Sequence, residues 1–402
     1  MKPRILLVCS RKLPFPTVAG YGIRILNSAR YLASQYDVDL LFLDKGGFQQ
    51  LDLRAFEGIF KRIMCFSYSP SSYALNALRG LASRGPIQVR YFTFREVRAW
   101  IQAHQHEYQA ILGQHVRVAE MLRDLETPVA IDLVDAISLN YARAAEQAKG
   151  PWRLIYAIEK ERLIRYEVET VNRFPRSFVV SELDRQHLVQ HGADPERLVT
   201  LPVAIQDHVI QRSPFTGPEE DAIALLGNMA YHPNKDAALY FAHDVFPQIR
   251  ARMPHCKLYV VGAEPPKEVQ ALANLPGVEV TGFVEDPSLY LERAKVVVAP
   301  IRFGAGLKNK VLEGMALRKA VVTSTIGQEG IGGTDGREYL VADTSETLAS
   351  SVLRCLGDSS LRAQLGANAR SWIERHFDSR SISEQTLRSL ATLHPSLVPI
   401  HA

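Results

Sequence analysis

The stretch Val296-Val297-Val298-Ala299-Pro300-Ile301-Arg302-Phe303-Gly304-Ala305-Gly306-Leu307-Lys308-Asn309-Lys310-Val311-Leu312-Glu313-Gly314-Met315-Ala316 governs how the rest of the chain is read. Its opening apolar run, closed by Pro300, predicts a strand. A run without polar alternation suits a strand covered on both faces, as in a parallel sheet. The small residues at 304–306 predict a loop, and apolar spacing after Asn309 predicts a helix.

The same alternation extends in both directions. Toward the N-terminus it predicts strands at Ala222–Leu226, Lys257–Val261 and Val278–Thr281, and beyond the stretch one more at Ala320–Thr323. After that only helical segments are expected, Glu346–Leu356, Ser360–His376 and Ser381–Leu393, with no strand left to pair. A separate series begins at the N-terminus. Strand Ile5–Cys9, a Pro/Gly loop, a helix over Tyr21–Tyr36 and strand Val38–Leu43 form a βαβ unit. Strands at Arg62–Phe66, Ala110–Leu112, Val129–Leu133, Phe178–Val180 and Leu198–Leu201 follow, separated by helical stretches such as Thr93–His104 and Trp152–Asn172. Between the two series, Gln206-Asp207-His208-Val209-Ile210-Gln211-Arg212-Ser213-Pro214 and the residues up to Glu220 lose periodicity and gather Pro, Gly and charge. The reading is therefore two doubly wound α/β domains in tandem: 1–205, a linker at 206–220, and 221–378. Residues 379–402 form a final helix and tail, free to pack back on the first domain.

Composition narrows the function. The 402 residues contain 47 Lys and Arg against 43 Asp and Glu, a net charge of +4 with no block of like charge, which argues against a nucleic-acid partner. Cys9, Cys65, Cys256 and Cys355 are scattered without metal-ligand spacing and suit a reducing compartment. The run Ile5–Cys9 stops at Ser10-Arg11-Lys12, too short for a signal-peptide core or a membrane span, so a cytoplasmic protein is expected.

Ligands of parallel open sheets bind beyond the carboxyl ends of the strands. Small residues at 304–306 would let backbone N–H groups approach an anion, at which the positive end of the following helix would also point. Lys308 and Lys310 add full charge, and Glu313, one turn beyond Lys310, is an acceptor suited to a pair of sugar hydroxyls. A plain glycine connection with solvated lysines is the bland alternative. No Gly-x-x-x-x-Gly-Lys-Ser/Thr is present, and the turn from Ser10 to Gly22 lacks Gly-x-Gly-x-x-Gly, which excludes a P-loop NTPase and a dinucleotide fingerprint.

With these residues in place, the chain resembles the GT-B nucleotide-sugar glycosyltransferases, specifically the large retaining family 4. The likeness runs from Gly304 to Ala316 and includes Gly227-Asn228-Met229 with Pro233-Asn234, Val260-Val261-Gly262, Gly282-Phe283-Val284 and the Trp372–Phe377 region. Gly20-x-x-x-Arg24, Asp132-Leu133-Val134-Asp135 with Ser138 and Tyr141, and Val180-Ser181-Glu182 make it most similar to sugar transferases of exosortase and exopolysaccharide systems.

The resemblance implies two Rossmann-like domains facing a cleft and transfer of a sugar, with retention, from a nucleoside diphosphate donor to a glycan, lipid-linked or small-molecule acceptor. It implies no cofactor and no metal. Glu313 would bind the donor ribose, Lys310 and Lys308 the diphosphate, Gly20 would face that diphosphate from the first domain, and Gly282 to Glu285 would hold the base. Gly227, Asn228, Asn234 and the loop Gly304, Ala305, Gly306, Leu307 complete the implied donor site. Two departures stand out. The family's first glutamate is Ala305 here, so backbone N–H groups must supply part of the sugar contact, and a histidine of the acceptor side is Val134, which leaves Asp135 or Asp132 as the nearby polar group. Arg24 and His115 join them as acceptor-side candidates. The same fold also serves nucleotide-sugar epimerases and non-catalytic partner subunits.

Three further features have an ordinary reading beside a functional one. Asp37-Val38-Asp39 has the form of a metal-binding Asp-x-Asp but leads straight into a strand, at the end away from the ligand. His115 follows a strand and could touch an acceptor, although a polar loop histidine is commoner. The stretch Tyr73–Arg98 mixes Tyr73, Leu75, Leu78 and Leu81 with Arg79, Arg84, Arg90, Arg95 and Arg98. It could dock on anionic lipid at the inner face of a membrane or be an ordinary surface helix.

Overall fold

Ile5, Leu7 and Cys9 point into one apolar cluster and Leu6 and Val8 into another. All five are buried, which is why the strand carries no polar residue after Arg4. It is β1 (Arg4–Cys9), near the middle of a parallel seven-stranded sheet in a computed structural model that describes residues 2–11, 20–46, 56, 58–81, 83, 85–148, 150–205, 207–304 and 306–398. The other strands are β2 (Asp37–Asp44), β3 (Arg62–Ser67), β4 (Ala110–Gln114), β5 (Val129–Val134), β6 (Arg176–Val179) and β7 (Leu198–Thr200), in the order β3-β2-β1-β4-β5-β6-β7.

The second sheet contains β8 (Glu220–Leu226), β9 (Lys257–Val261), β10 (Val278–Gly282), β11 (Ala294–Ala299), β12 (Ala320–Thr323) and β13 (Leu340–Val341), also parallel, in the order β10-β9-β8-β11-β12-β13. Val297 lies between Ala224 of β8 and Val321 of β12. Val296 and Val298 face one cluster while Val297 and Ala299 face the other. Each fully buried valine of this kind contributes about 1.5–3 kcal/mol relative to an exposed one.

The chain divides into two compact units, Met1–Val203 with Arg380–Ala402, and Ala204–Ser379. Both are Rossmann-like. The final helix, Ser379–Ala391, gives Leu387 and Leu390 to the first unit's core, Leu397 follows, and Tyr36 Oη donates to the Leu397 carbonyl at 2.6 Å. Residues 206–220, read as a connection, fall in the second unit and include the short helix Asp207–Ile210.

One expectation is corrected. A strand does follow Thr323: β13 pairs Leu340 with Val322 and Val341 with Thr323. Two residues are too few to show a period. The segment is held by non-local bonds, Ala342 N–H to the Thr323 carbonyl at 2.8 Å and Val341 N–H to Asp335 at 2.8 Å.

Candidate functional site

In the second sheet the strand order reverses between β8 and β11, and in the first between β1 and β4. Such switch points open a crevice at the carboxyl ends of the strands. At the β8/β11 switch point the loops after the two strands are locked together. A Cβ on Gly262 would lie 1.8 Å from the Gly227 carbonyl, and one on Gly227 would lie 2.6 Å from Asn234 Nδ2. Both positions therefore exclude a side chain. Gly304 (φ 111°) and Gly306 (φ 76°) take backbone conformations that favour glycine, and a Cβ on Gly304 would press on Pro233 at 3.2 Å.

Asn234 is the centre of this arrangement. It is buried in the helix His232–Tyr240, its Nδ2 donates to the Asn228 carbonyl at 2.8 Å, and its Oδ1 accepts from Lys310 Nζ at 2.7 Å. Asn228 folds its own loop, accepting from Ala230 N–H at 2.9 Å and donating to Glu264 at 3.2 Å.

Lys310 is the second residue of the helix Asn309–Ala316. That helix is seated through Gly314, whose missing side chain lets it approach Val297 and Val321, and Arg370 donates to the Ala316 carbonyl at its far end at 2.8 Å. Burial pulls the Lys310 pKa down to about 8, with Lys308 adding repulsion and Glu313 opposing it. Burial pushes Glu313 up to about 7 against the attraction of Lys310. Glu313 carries no side-chain hydrogen bond to a described residue. Lys308 is buried and its Nζ turns back onto the Gly306 carbonyl at 2.6 Å. Two ammonium groups and a helix N-terminus thus converge where an anion would gain most, beside a carboxylate open to hydroxyl donors.

The structure brings Gly227, Asn228, Asn234, Gly304, Gly306, Lys308 and Lys310 together at this edge, with Leu307 partly buried against the same core. Ala305 lies outside the described residues. Gly282 (φ 67°) ends β10 at the same edge of the sheet, Phe283 beyond it is 64 % exposed, and Val284 packs against the core. Gly20 begins the helix Gly20–Gln35 in the first unit.

Two acceptor-side candidates of the first unit pair with each other. Arg24 and Asp132 are buried against each other in a bidentate pair at 2.7 and 3.0 Å. Arg24 also donates to the Leu201 carbonyl, and Asp132 accepts from Gln114 Nε2 and Val134 N–H. These hydrogen bonds tie β4, β5 and the end of β7 together. Asp135 is partly buried in the loop beyond Val134, which has φ 69°. His115, with φ 77°, follows β4, and its Nδ1 is enclosed with no hydrogen-bond partner among the described residues. Burial, then Arg117 and Arg11, hold its pKa well below the ordinary histidine value, so it is neutral.

Asp39 is committed as well. Its carboxylate accepts from Arg4, Arg62 and Tyr108 at 2.7–3.0 Å, at the amino end of β2. Among the described residues no cluster of three or more His, Cys, Asp or Glu is placed to hold a metal ion. Sequence reasoning missed Glu264 (φ 54°) and the Gly262 contact; two glycines following adjacent strands were the available signal.

Comparison with known proteins agrees with this geometry. Residues 220–358 match the family described as "Glycosyl transferases group 1". An uncharacterised 44.6 kDa protein in the cps region of Klebsiella pneumoniae is 21% identical over 397 residues, 94% of this chain and 97% of that protein. Among solved structures, Anabaena Alr3699/HepE in complex with UDP and glucose superposes with a TM-score of 0.68 at 15% identity, covering 96% of this chain and 99% of that one. WaaG, a glycosyltransferase involved in lipopolysaccharide biosynthesis, gives 0.63 at 16% identity over 95% of this chain and 98% of its own. Residues 220–358 are thus similar to the group 1 glycosyl transferases, in a chain whose fold is GT-B.

Proposed function

We propose that the protein is a retaining, metal-independent glycosyltransferase of family 4 that takes a sugar from a nucleoside diphosphate donor in the second unit. The reading rests above all on Lys310, held at 2.7 Å by Asn234 beside Lys308 at the β8/β11 switch point, with Glu313 one turn further on. Lys310, Lys308 and the helix N-terminus stabilise negative charge that grows on the leaving diphosphate as the glycosidic bond breaks. Glu313 accepts the ribose hydroxyls. Backbone N–H groups of the loop at 304–306 share the donor-sugar contacts, and Phe283 flanks the base. Asp135 and His115 are assigned to the acceptor.

The UDP and glucose of the HepE complex support a nucleotide-sugar donor, and the cps-region relative supports a glycan, lipid-linked or small-molecule acceptor in polysaccharide or glycoconjugate synthesis. A thermal-shift panel of UDP-, GDP-, ADP- and dTDP-sugars tests the donor, since specific binding raises the melting temperature. Sugar release or transfer from the donor so found, with NMR of the product anomer, tests catalysis and retention. Donor binding without turnover would make the protein a binding subunit, and an inverted product would overturn the retaining mechanism.

A further inference from the structure

The loop that leaves β5 carries Asp135, and its backbone is held almost entirely by acids. Val134, a β-branched residue, takes φ 69°, a strained conformation that persists only where the surroundings enforce it. Val134 N–H donates to Asp132 at 3.1 Å and Ala136 N–H to Asp184 at 2.9 Å, while Ile137 and Ser138 N–H donate to Glu167 at 2.7 and 3.3 Å. All three carboxylates are buried. They come from β5, from the helix Glu182–Gln190 and from the helix Pro151–Arg173. Two hydroxyls fix the acids in turn. Ser138 Oγ donates to Glu167 Oε2 at 2.5 Å and lies 3.0 Å from His187 Nε2, and Ser181 Oγ donates to Asp184.

A helix start does not need such an arrangement. Ala136 is the N-cap of the helix Ile137–Gln147 and supplies no side-chain cap of its own. A serine or aspartate at that position would satisfy the same kind of amide locally. Here two acids from other helices are taken out of water instead, at a cost visible in Glu167, which burial pushes up to about 8. What the arrangement gains is a fixed path for residues 134–138, since helices remote in sequence must shift before the loop can. Asp135 is the residue so presented, beyond the carboxyl end of a strand, where ligands of parallel sheets bind.

We propose that Glu167 and Asp184 are positioning residues of the transfer reaction, holding the loop that sets Asp135 against the acceptor without touching either substrate. This rests on the acceptor role given to Asp135 above, and the test separates the two. Amide hydrogen exchange of the full chain reads the loop alone. Peptides covering 134–138 should exchange about tenfold faster or more in Glu167→Ala and Asp184→Ala, while calorimetric donor affinity stays as in the parent. Glu167→Gln, which still offers Oε1 to Ile137 N–H, should restore most of the protection. Ser138→Ala, a milder change that frees Glu167 Oε2, should show part of the effect even where Glu167→Ala does not fold. The reaction is read by sugar release to water from the donor found in the nucleotide-sugar panel. Asp135→Asn and Glu167→Ala should each lower kcat with donor KM unchanged, and the double variant should be no slower than the slower single one, because Glu167 acts through Asp135. Effects that multiply independently, or loop exchange unchanged in every variant, overturn the proposal. Faster loop exchange together with turnover that Asp135→Asn leaves unaltered would instead overturn the acceptor role of Asp135 on which it rests.

Discussion

Lys310 Nζ donates to Asn234 Oδ1 at 2.7 Å, so the helix that follows β11 is fastened to the helix that follows β8 across the switch point of the second sheet. The bond fixes the direction of a long, otherwise mobile side chain and keeps its charge beside the glycine loop. An ammonium already oriented in this way loses little rotamer freedom when an anion arrives.

The two half-buried charges set an expected pH profile. With Glu313 near 7 and Lys310 near 8, kcat/KM should rise as the carboxyl ionises and fall as the ammonium loses its proton, leaving a narrow optimum between them. Glu313→Gln should remove the acid limb. Lys310→Arg should remove the alkaline limb, because a guanidinium stays charged to about pH 12. Steady-state rates across pH check both, and unchanged limbs would dissociate these groups from the reaction.

Lys310→Ala should affect turnover more than binding, because charge on the diphosphate is greatest in the transition state. A fall in kcat of order 100 is expected, comparable to loss of one oxyanion donor, with a smaller rise in donor Kd. The substitution also leaves the buried Asn234 Oδ1 unpaired, so a melting curve must accompany the kinetics. Lys308→Ala should show the milder form. Loss confined to Kd would reject the transition-state role.

Glu313→Gln retains shape but loses charge, and hydrogen bonds to charged groups are worth about 1.5–3 kcal/mol. Calorimetric donor affinity should weaken within that range above pH 7. An unchanged affinity would place the ribose elsewhere.

Full activity in excess EDTA is expected, since the proposed function gives the diphosphate to the lysines and the helix N-terminus, and Asp39 is occupied by Arg4, Arg62 and Tyr108. Activity that disappears with chelator and returns with magnesium or manganese would refute metal independence.

Asp132→Ala should strand Arg24 as an unpaired buried cation. The cost of breaking such a pair is about 3–5 kcal/mol, to be read from denaturant unfolding, while donor binding by the folded fraction stays unchanged. A stable variant with altered acceptor kinetics would return Asp132 to the acceptor site.

The residues legible in advance were those whose local pattern determines their environment. β1 and β11 are covered on both faces and read as unbroken apolar runs, so they and the loops after them could be located from composition and spacing alone. The placement of Lys310 and Glu313 on a helix entered from such a loop, with Lys308 just before it, could be read from the same spacing, while their role is the proposal made above. The pairing of Asp132 was not legible, because Arg24, the partner that neutralises it, is remote in sequence and the pairing has no local signature. β13 escaped for the same reason, since Thr323, Asp335 and the edge of the sheet define it rather than its own two residues.

The path of the chain bears on how the protein is made. Leu387, Leu390 and Leu397 complete the cluster that holds Ile25, Leu32 and Tyr36, yet they leave the ribosome only after all of Ala204–Ser379. At 5–20 residues per second that interval lasts roughly 10 to 35 s. The first sheet therefore waits through synthesis with part of one apolar face uncovered, and the second unit folds while tethered to an unfinished neighbour. Emergence of Leu387–Leu397 from the ribosome, rather than completion of the seventh strand, becomes the moment at which the first unit closes.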